Sequence, residues 1–293
     1  RTISKRVLKR SENEGWTPVV APEMEFYLVD KNTDPKEELR PPLGLNGRRE
    51  SAPNAYSVEG INEDSEFVKA LYETCTKQNV PVEGLVHEVG IAQFEINFDH
   101  GNALNLADQV FIFKRTVRQV ALEHGMYATF MAKPYGDQPG SAMHIHQSVS
   151  DKEGTNICVD TSSHENETFL YFIGGMQKYT PYCLSLYAPN INSYRRYSPG
   201  YCAPANMEWG YENRNVTLRV TNSTPIAKRV ENRYPGADSN PYLALAASLA
   251  CGYLGIKAKL KPSTEPNQGD ASEQGIEVSR DLLTSVKLLN QLP

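Results

Sequence analysis

Lysine and arginine are nowhere concentrated in this sequence: 30 basic residues stand against 35 acidic ones, a net charge of −5. That excludes the basic footprint of a protein built to hold nucleic acid or an anionic membrane surface. No apolar run reaches bilayer-spanning length, and no signal peptide is read at the start. Cysteine is sparse. The five (Cys75, Cys158, Cys183, Cys202, Cys251) form an odd set with no CxxC pair. Neither a disulfide framework nor a zinc ribbon is indicated, and a reducing, cytoplasmic setting fits. Repeats and low-complexity tracts are missing, and no glycine-rich phosphate loop follows a predicted strand. What is present, 40% hydrophobic and 22% charged over 293 residues, is the composition of a globular chain with room for one large domain or two ordinary ones.

The pattern of the chain predicts an α+β fold. Residues 17–30 read as a strand, 36–62 as a long loop, and 64–78 as a helix with Phe67, Leu71 and Cys75 on one face. Residues 84–99 are strand-like but broken at Gly90. The clearest helix is 104–124, with Leu106, Val110, Phe113, Val117 and Val120 at helical spacing and Gly125 closing it. Strands are expected at 126–131, 141–149 and 215–220, and apolar helices at 167–179 and 241–256. Irregular alternation of antiparallel-looking strands with helices favours a strongly curved antiparallel sheet over a doubly wound one.

Acidic and imidazole side chains recur at strand spacing. Glu23 and Glu25 share a face of the first strand, with Met24 and Phe26 on the other. Two adjacent carboxylates read either as a solvated face or as a pair that repels until a cation sits between them. Glu88 and Glu95 are seven apart, which on a regular strand puts them on opposite faces; a turn at Gly90 would fold the segment back and let them converge. His144 and His146 share a face. Arg229-Val230-Glu231-Asn232-Arg233 sets a carboxylate between two guanidiniums, which also fits an ion-paired edge strand. Taken singly, none of these decides a function.

Taken in order, the runs PEMEF, HEVGIAQFE, GSAMHIHQS, NSYRRYSPGY, ENRNVTLRV and RVENRYPGADSNPY resemble the signature segments of glutamine synthetases, from about residue 23 to 260. The resemblance implies the catalytic-domain fold, a funnel of curved antiparallel sheet flanked by helices, over residues 1–293. It also implies that the chain is a fragment lacking the N-terminal β-grasp domain and the C-terminal end. By resemblance, Glu25, Glu88 and Glu95 hold one divalent ion, and Glu23, His144 and Glu231 hold a second. Five carboxylates with one imidazole suit Mg²⁺ or Mn²⁺ rather than Zn²⁺ or Cu²⁺.

The implied reaction is ATP-dependent ligation of the glutamate side-chain carboxylate to an amine through a γ-glutamyl phosphate. Arg196, Arg214 and Glu88 are the implied catalytic groups. Gly140, Arg196, Arg214 and Arg233 would bind substrate, and Glu83, His146, Ser148, Arg219 and Arg229 would face ATP. Three positions depart from the ammonia-using pattern. Cys202 stands where a glutamate of the ammonium pocket is usual, Gln138-Pro139 where an asparagine is usual, and Glu212 where many members carry a basic residue. The loss of a carboxylate points to an organic amine such as putrescine, another polyamine or ethanolamine. Ammonia-using glutamine synthetase and a non-catalytic relative are the alternatives. Family resemblance further implies homo-oligomers, hexameric rings or dodecamers, with glutamate, an amine and ATP as small-molecule substrates.

Overall fold

A computed structural model describes residues 1–32, 34, 36–159, 165–197, 203–204, 206–269 and 276–292. The chain opens with helix α1 (Thr2–Asn13) and a 14-residue strand, β1 (Thr17–Asp30). Helices α2 (Val58–Glu63) and α3 (Ser65–Lys77) lead into the hairpin β2 (Val82–His87) and β3 (Gln93–Phe98). Then come β4 (Gly101–Asn102), α4 (Ala103–Glu123), β5 (Met126–Thr129) and β6 (Ile145–Ser150). Helix α5 (Glu167–Tyr187) is followed by β7 (Asn206–Met207), β8 (Trp209–Tyr211), β9 (Leu218–Val220) and β10 (Val230–Asn232). Helix α6 (Pro241–Ala258), β11 (Ile276–Glu277) and α7 (Leu282–Leu289) complete it.

Nine strands form one sheet in the order β2-β3-β1-β6-β10-β9-β8, with β4 and β5 also paired to β1. The pairings are antiparallel, as the sequence suggests, except at the far edge, where β8 and β9 run parallel. Strand β1 organises the whole. Its N-terminal half pairs with β6 and its C-terminal half with β3 and β5, so it spans the join between two wings.

Alternation along β1 separates two environments. Met24, Phe26 and Leu28 are fully buried, and Phe26 meets the rings of Phe67, Phe94, Phe113 and Phe130 at centroid distances of 5.6–6.4 Å. Helices α3 and α4 cover this face through Leu71, Val110, Phe113 and Val117, the residues the helical spacing picks out. Behind β6 and β10 the packing layer is α6, whose Ser248 Oγ accepts hydrogen bonds from Gln147 at 2.8 Å and Asn232 at 2.9 Å. The opposite face of the sheet carries Glu23 and Glu25.

Strands β6 and β9 begin four and three residues later than the sequence reading places them, and two elements differ more. Residues 58–63 form α2 inside the expected loop, started by Ser57, whose side chain accepts from Gly60 N–H. Helix α5 runs two turns past residue 179 and through Pro181. An interior proline costs roughly 3 kcal/mol or more, and burial of Cys183, Leu184 and Tyr187 beyond it offsets that cost. Among the described residues no helix is long and apolar enough to cross a membrane.

Candidate active site

The strands deliver their polar side chains to one cleft. A cavity of about 590 Å³ is lined by Glu23, Glu25, Glu88, Glu95, Gly140, His144, Arg196, Arg214, Arg219, Glu231 and Arg233. All six carboxylate and imidazole positions singled out as metal ligands therefore meet there. Every expected catalytic and substrate-binding residue also lines it.

Register explains the convergence. Glu25 lies directly across from Glu95, and Glu231 across from both His146 and Arg219. The fold-back at Gly90 is real: β2 and β3 pair as a hairpin, and Glu88 N–H bonds the Gln93 carbonyl at 2.8 Å. Gly90 is required by close approach. A Cβ there would overlap the Tyr27 hydroxyl and fall 2.6 Å from Gln93 Oε1.

His144 is the hinge of the acidic cluster. Its Nδ1 lies 3.1 Å from Glu23, 3.6 Å from Glu231 and 3.9 Å from Glu25. Two groups of ligand atoms come within 4.8 Å of one another: Glu23, His144 and Glu231, as expected, and Glu25, Glu95 and His144. The second differs from the expected set in its third member. Glu88 lines the cavity, but its carboxylate turns back to accept Val89 N–H at 3.1 Å.

Charge in this space is costly. Burial, with the Glu88 charge nearby, pushes the Glu25 carboxyl up to about 8. Burial and then Glu23 hold Glu95 well above its ordinary value. Burial also raises Glu88. Burial opposes ionisation of Glu23 too, but hydrogen bonds from His144 and His146 outweigh it and hold its carboxyl low. For Glu231, the Arg233 guanidinium overcomes burial and brings the carboxyl down to about 2. Burial, then Arg233, lowers His144 to about 4, leaving a neutral ligand. A donor set of buried carboxylates that hold protons in the absence of a counter-charge is one that divalent cations fit.

The arginines ring this cluster. Arg219 contacts Glu231 at 2.7 Å and Glu212 at 2.9 Å, and Arg233 pairs with Glu231. Arg196 is 3% exposed and donates to the carbonyls of Tyr234 at 2.9 Å and Arg233 at 2.8 Å. Its aliphatic stem borders the cavity beside Gly140. Arg214 Nη1 donates to the Tyr56 hydroxyl at 2.9 Å.

A second cavity, about 700 Å³, adjoins the first through Glu23 and is lined by Glu83, His146, Ser148 and Arg229. Four of the five residues expected to face ATP therefore share one space, and Arg219 lies in the other. Arg229 Nε donates to His146 Nδ1 at 3.0 Å, so the imidazole proton sits on Nε2, 2.7 Å from Glu23.

Sequence reading passed over Tyr56 and Gln93. Tyr56 lies in a segment read as loop, where no periodicity marks it. Gln93 sits inside the HEVGIAQFE run and bonds both Glu25 Oε2 and the Gly140 carbonyl at 3.1 Å. Cys202, on which the amine reading turns, lies outside the described residues, as do Ser198 to Tyr201 of the NSYRRYSPGY run.

A sheet-walled cleft where carboxylate clusters and arginines converge has the chemistry to take divalent cations beside phosphorylated or carboxylated ligands. The chain belongs to the glutamine synthetase family: the model for "Glutamine synthetase, catalytic domain" matches residues 1–291. Gamma-glutamylputrescine synthetase PuuA of Escherichia coli (strain K12) is 38% identical over 277 residues, 94% of this chain and 58% of that protein. A glutamate–isopropylamine ligase of Pseudomonas sp is 34% identical over 294 residues, 98% of this chain and 62% of the ligase. A glutamine synthetase of Thermococcus kodakarensis is 39% identical over 264 residues, 90% of this chain and 57% of the relative. The chain thus spans about three fifths of the length of these relatives. Among solved structures, that described as apo GmaS without ligand superimposes with a TM-score of 0.84 at 27% identity, covering 98% of this chain and 66% of the other.

Proposed function

We propose that this chain carries the catalytic domain of a ligase that joins the side-chain carboxylate of glutamate to an organic amine at the expense of ATP. The observation that carries the reading is the convergence of the carboxylate–imidazole cluster and four arginines in one cavity, which shares Glu23 with a second.

A glutamate carboxylate oxygen attacks the γ-phosphorus, the bond from that phosphorus to the β-bridging oxygen breaks, and ADP departs. The amine nitrogen then attacks the acyl carbon and phosphate leaves. Arg214, Arg219 and Arg233, which line the first cavity, would neutralise charge on the transferred phosphoryl oxygens. Glu88, raised by burial, would receive the proton shed by the amine nitrogen. Gly140 and Arg196 would hold the amino-acid end of glutamate, and His146, Ser148, Glu83 and Arg229 the nucleotide. Mg²⁺ or Mn²⁺ bound by Glu23, His144 and Glu231, and by Glu25, Glu95 and Glu88, would screen the phosphate charge and orient the two substrates.

Cys202 in place of an acidic residue, and similarity to proteins named for putrescine and isopropylamine, support an organic amine. Similarity to a glutamine synthetase keeps ammonia as the second reading. The test is phosphate release from ATP by the full-length enzyme with glutamate, Mg²⁺ and a panel of amines. Strong dependence on putrescine or another organic amine, with little response to ammonia, is expected; preference for ammonia makes it a glutamine synthetase, and silence with every amine overturns the ligase reading. We further propose that the full-length protein works in the cytoplasm as hexameric rings, single or paired, which light scattering on a sizing column checks.

A further inference from the structure

The turn that carries Glu88 is held from outside the cavity. Glu50 Oε2 accepts Ala92 N–H at 2.5 Å and lies 3.1 Å from His87 Nε2. His87 and Ala92 bracket residues 88–91, so one carboxylate oxygen fastens both arms of the β2–β3 connection. The His87 ring is 1% exposed, packs edge-on against Phe94 at 5.2 Å, and sets Nδ1 2.8 Å from the Glu88 carbonyl. A carbonyl only accepts, so Nδ1 carries a proton toward Glu88. Room for the ring exists because residue 60 is glycine: a Cβ there would come within 2.8 Å of His87 Cδ2. The His87 carbonyl accepts Tyr56 N–H at 2.8 Å. Tyr56 is held at φ +60, a region that bulky residues seldom occupy, and its hydroxyl accepts from Arg214. Glu88, Tyr56 and Arg214 all line the first cavity.

We propose that Glu50, acting through His87, is a positioning residue for the amine end of the active cavity, setting where Glu88 and Tyr56 stand without touching substrate. The assignment rests on the ligase reading of that cavity. Its hydrogen bonds go to the Glu88 turn and none goes to a residue lining the nucleotide-side cavity, so its loss separates amine and cation binding from nucleotide binding.

The test compares Glu50→Leu, which removes the acceptor at similar size, with Glu50→Gln, which keeps one oxygen for Ala92 N–H, in the full-length protein. Mn²⁺ affinity by electron paramagnetic resonance, and the KM values for amine and for ATP, are the readouts. In Glu50→Leu, Mn²⁺ affinity should fall about 10- to 100-fold. Amine KM should rise by a similar factor, and ATP KM should stay within about twofold. Glu50→Gln should fall between the variant and the wild type. Unchanged amine KM and Mn²⁺ affinity, or ATP KM rising in step with amine KM, overturns the proposal. If Glu50→Leu does not fold, Glu50→Gln and His87→Gln supply the same comparison. If the wild type turns over no amine, the ligase reading fails, and Mn²⁺ affinity in the two variants still decides whether Glu50 positions the turn.

Discussion

Glu231 shows how one side chain answers to two demands. It is 1% exposed, ion-paired with Arg219 and Arg233, and close to His144. Removing its charge takes the carboxylate from beside Arg233 and leaves Arg219 paired with Glu212 alone, a change of about 3–5 kcal/mol where a buried pair is broken. Glu231→Gln is therefore expected to lower the thermal midpoint by several degrees and ATP-dependent phosphate release by at least about 100-fold; calorimetry and a phosphate assay check both. The expectation fails if activity persists near the wild-type level. His146 is a contrasting case, because its tautomer is set by Arg229 rather than by burial. Arg229→Ala frees Nδ1, removes a cation from the second cavity, and on the proposed function should raise ATP KM about tenfold or more while leaving glutamate KM unchanged. Parallel loss of both affinities would argue against separate roles for the two cavities.

The β2–β3 hairpin is the element on which the site depends most. Its turn must pass against the Tyr27 hydroxyl, which donates to the Pro139 carbonyl at 2.7 Å and so ties β1 to the loop that presents Gly140. Gly90→Ala is expected to cost about 1–3 kcal/mol, the usual range for overpacking, and to shift both Glu88 and Gly140. Adding Tyr27→Phe should recover part of the lost stability by removing the nearest clashing atom, the hydroxyl oxygen, while Cζ at 2.7 Å stays. Chemical denaturation of the two single variants and the double variant gives the coupling energy, and strict additivity would refute the contact. Helix α6 offers a milder test. Asn240 caps it by accepting from Tyr242 and Leu243 N–H at 3.1 and 3.3 Å, and Asn240→Ala should cost about 1 kcal/mol with activity intact.

For the whole molecule, the acidic cleft sets how stability follows pH. Glu25 titrates near 8 in the fold against 4.5 when exposed. Between those values the folded state holds a proton that the unfolded state has released, so stability falls as pH rises. His144 acts in the opposite direction. Titrating near 4 rather than 6.5, it makes stability rise with pH between those values. Above pH 6.5 the carboxyl effect remains, and His87, which despite burial Glu50 holds above its ordinary value, adds to it in the same direction. The cation-free protein is expected to lose thermal stability from pH 6.5 to 8, and saturating Mg²⁺ should flatten most of that slope by displacing the Glu25 proton. Melting curves at several pH values with and without Mg²⁺ measure it. A cation-free midpoint that climbs over this window would contradict the burial of Glu25 as a protonated group.

Much of this was legible in the chain itself. Strand β1 begins and ends where alternation and apolar content place it, and α4 matches its helical spacing to within a residue, because each buries a regular face. The fold-back that brings Glu88 and Glu95 into one cavity was readable from Gly90, although the glycine serves close approach to Tyr27 and the left-handed residue of the turn is Ala92 at φ +51. Six ordered motifs carried the family. Strands of two or three residues, such as β7, β8 and β11, were not readable, since so short a run holds no period. Only the tertiary structure decided that His144 stands between both carboxylate groups, that Glu88 turns its carboxylate back to its own chain, and that Tyr56 reaches Arg214 across 158 positions. Those contacts follow from strand register and loop packing. They are settled by which backbones lie side by side, a quantity that local sequence does not encode.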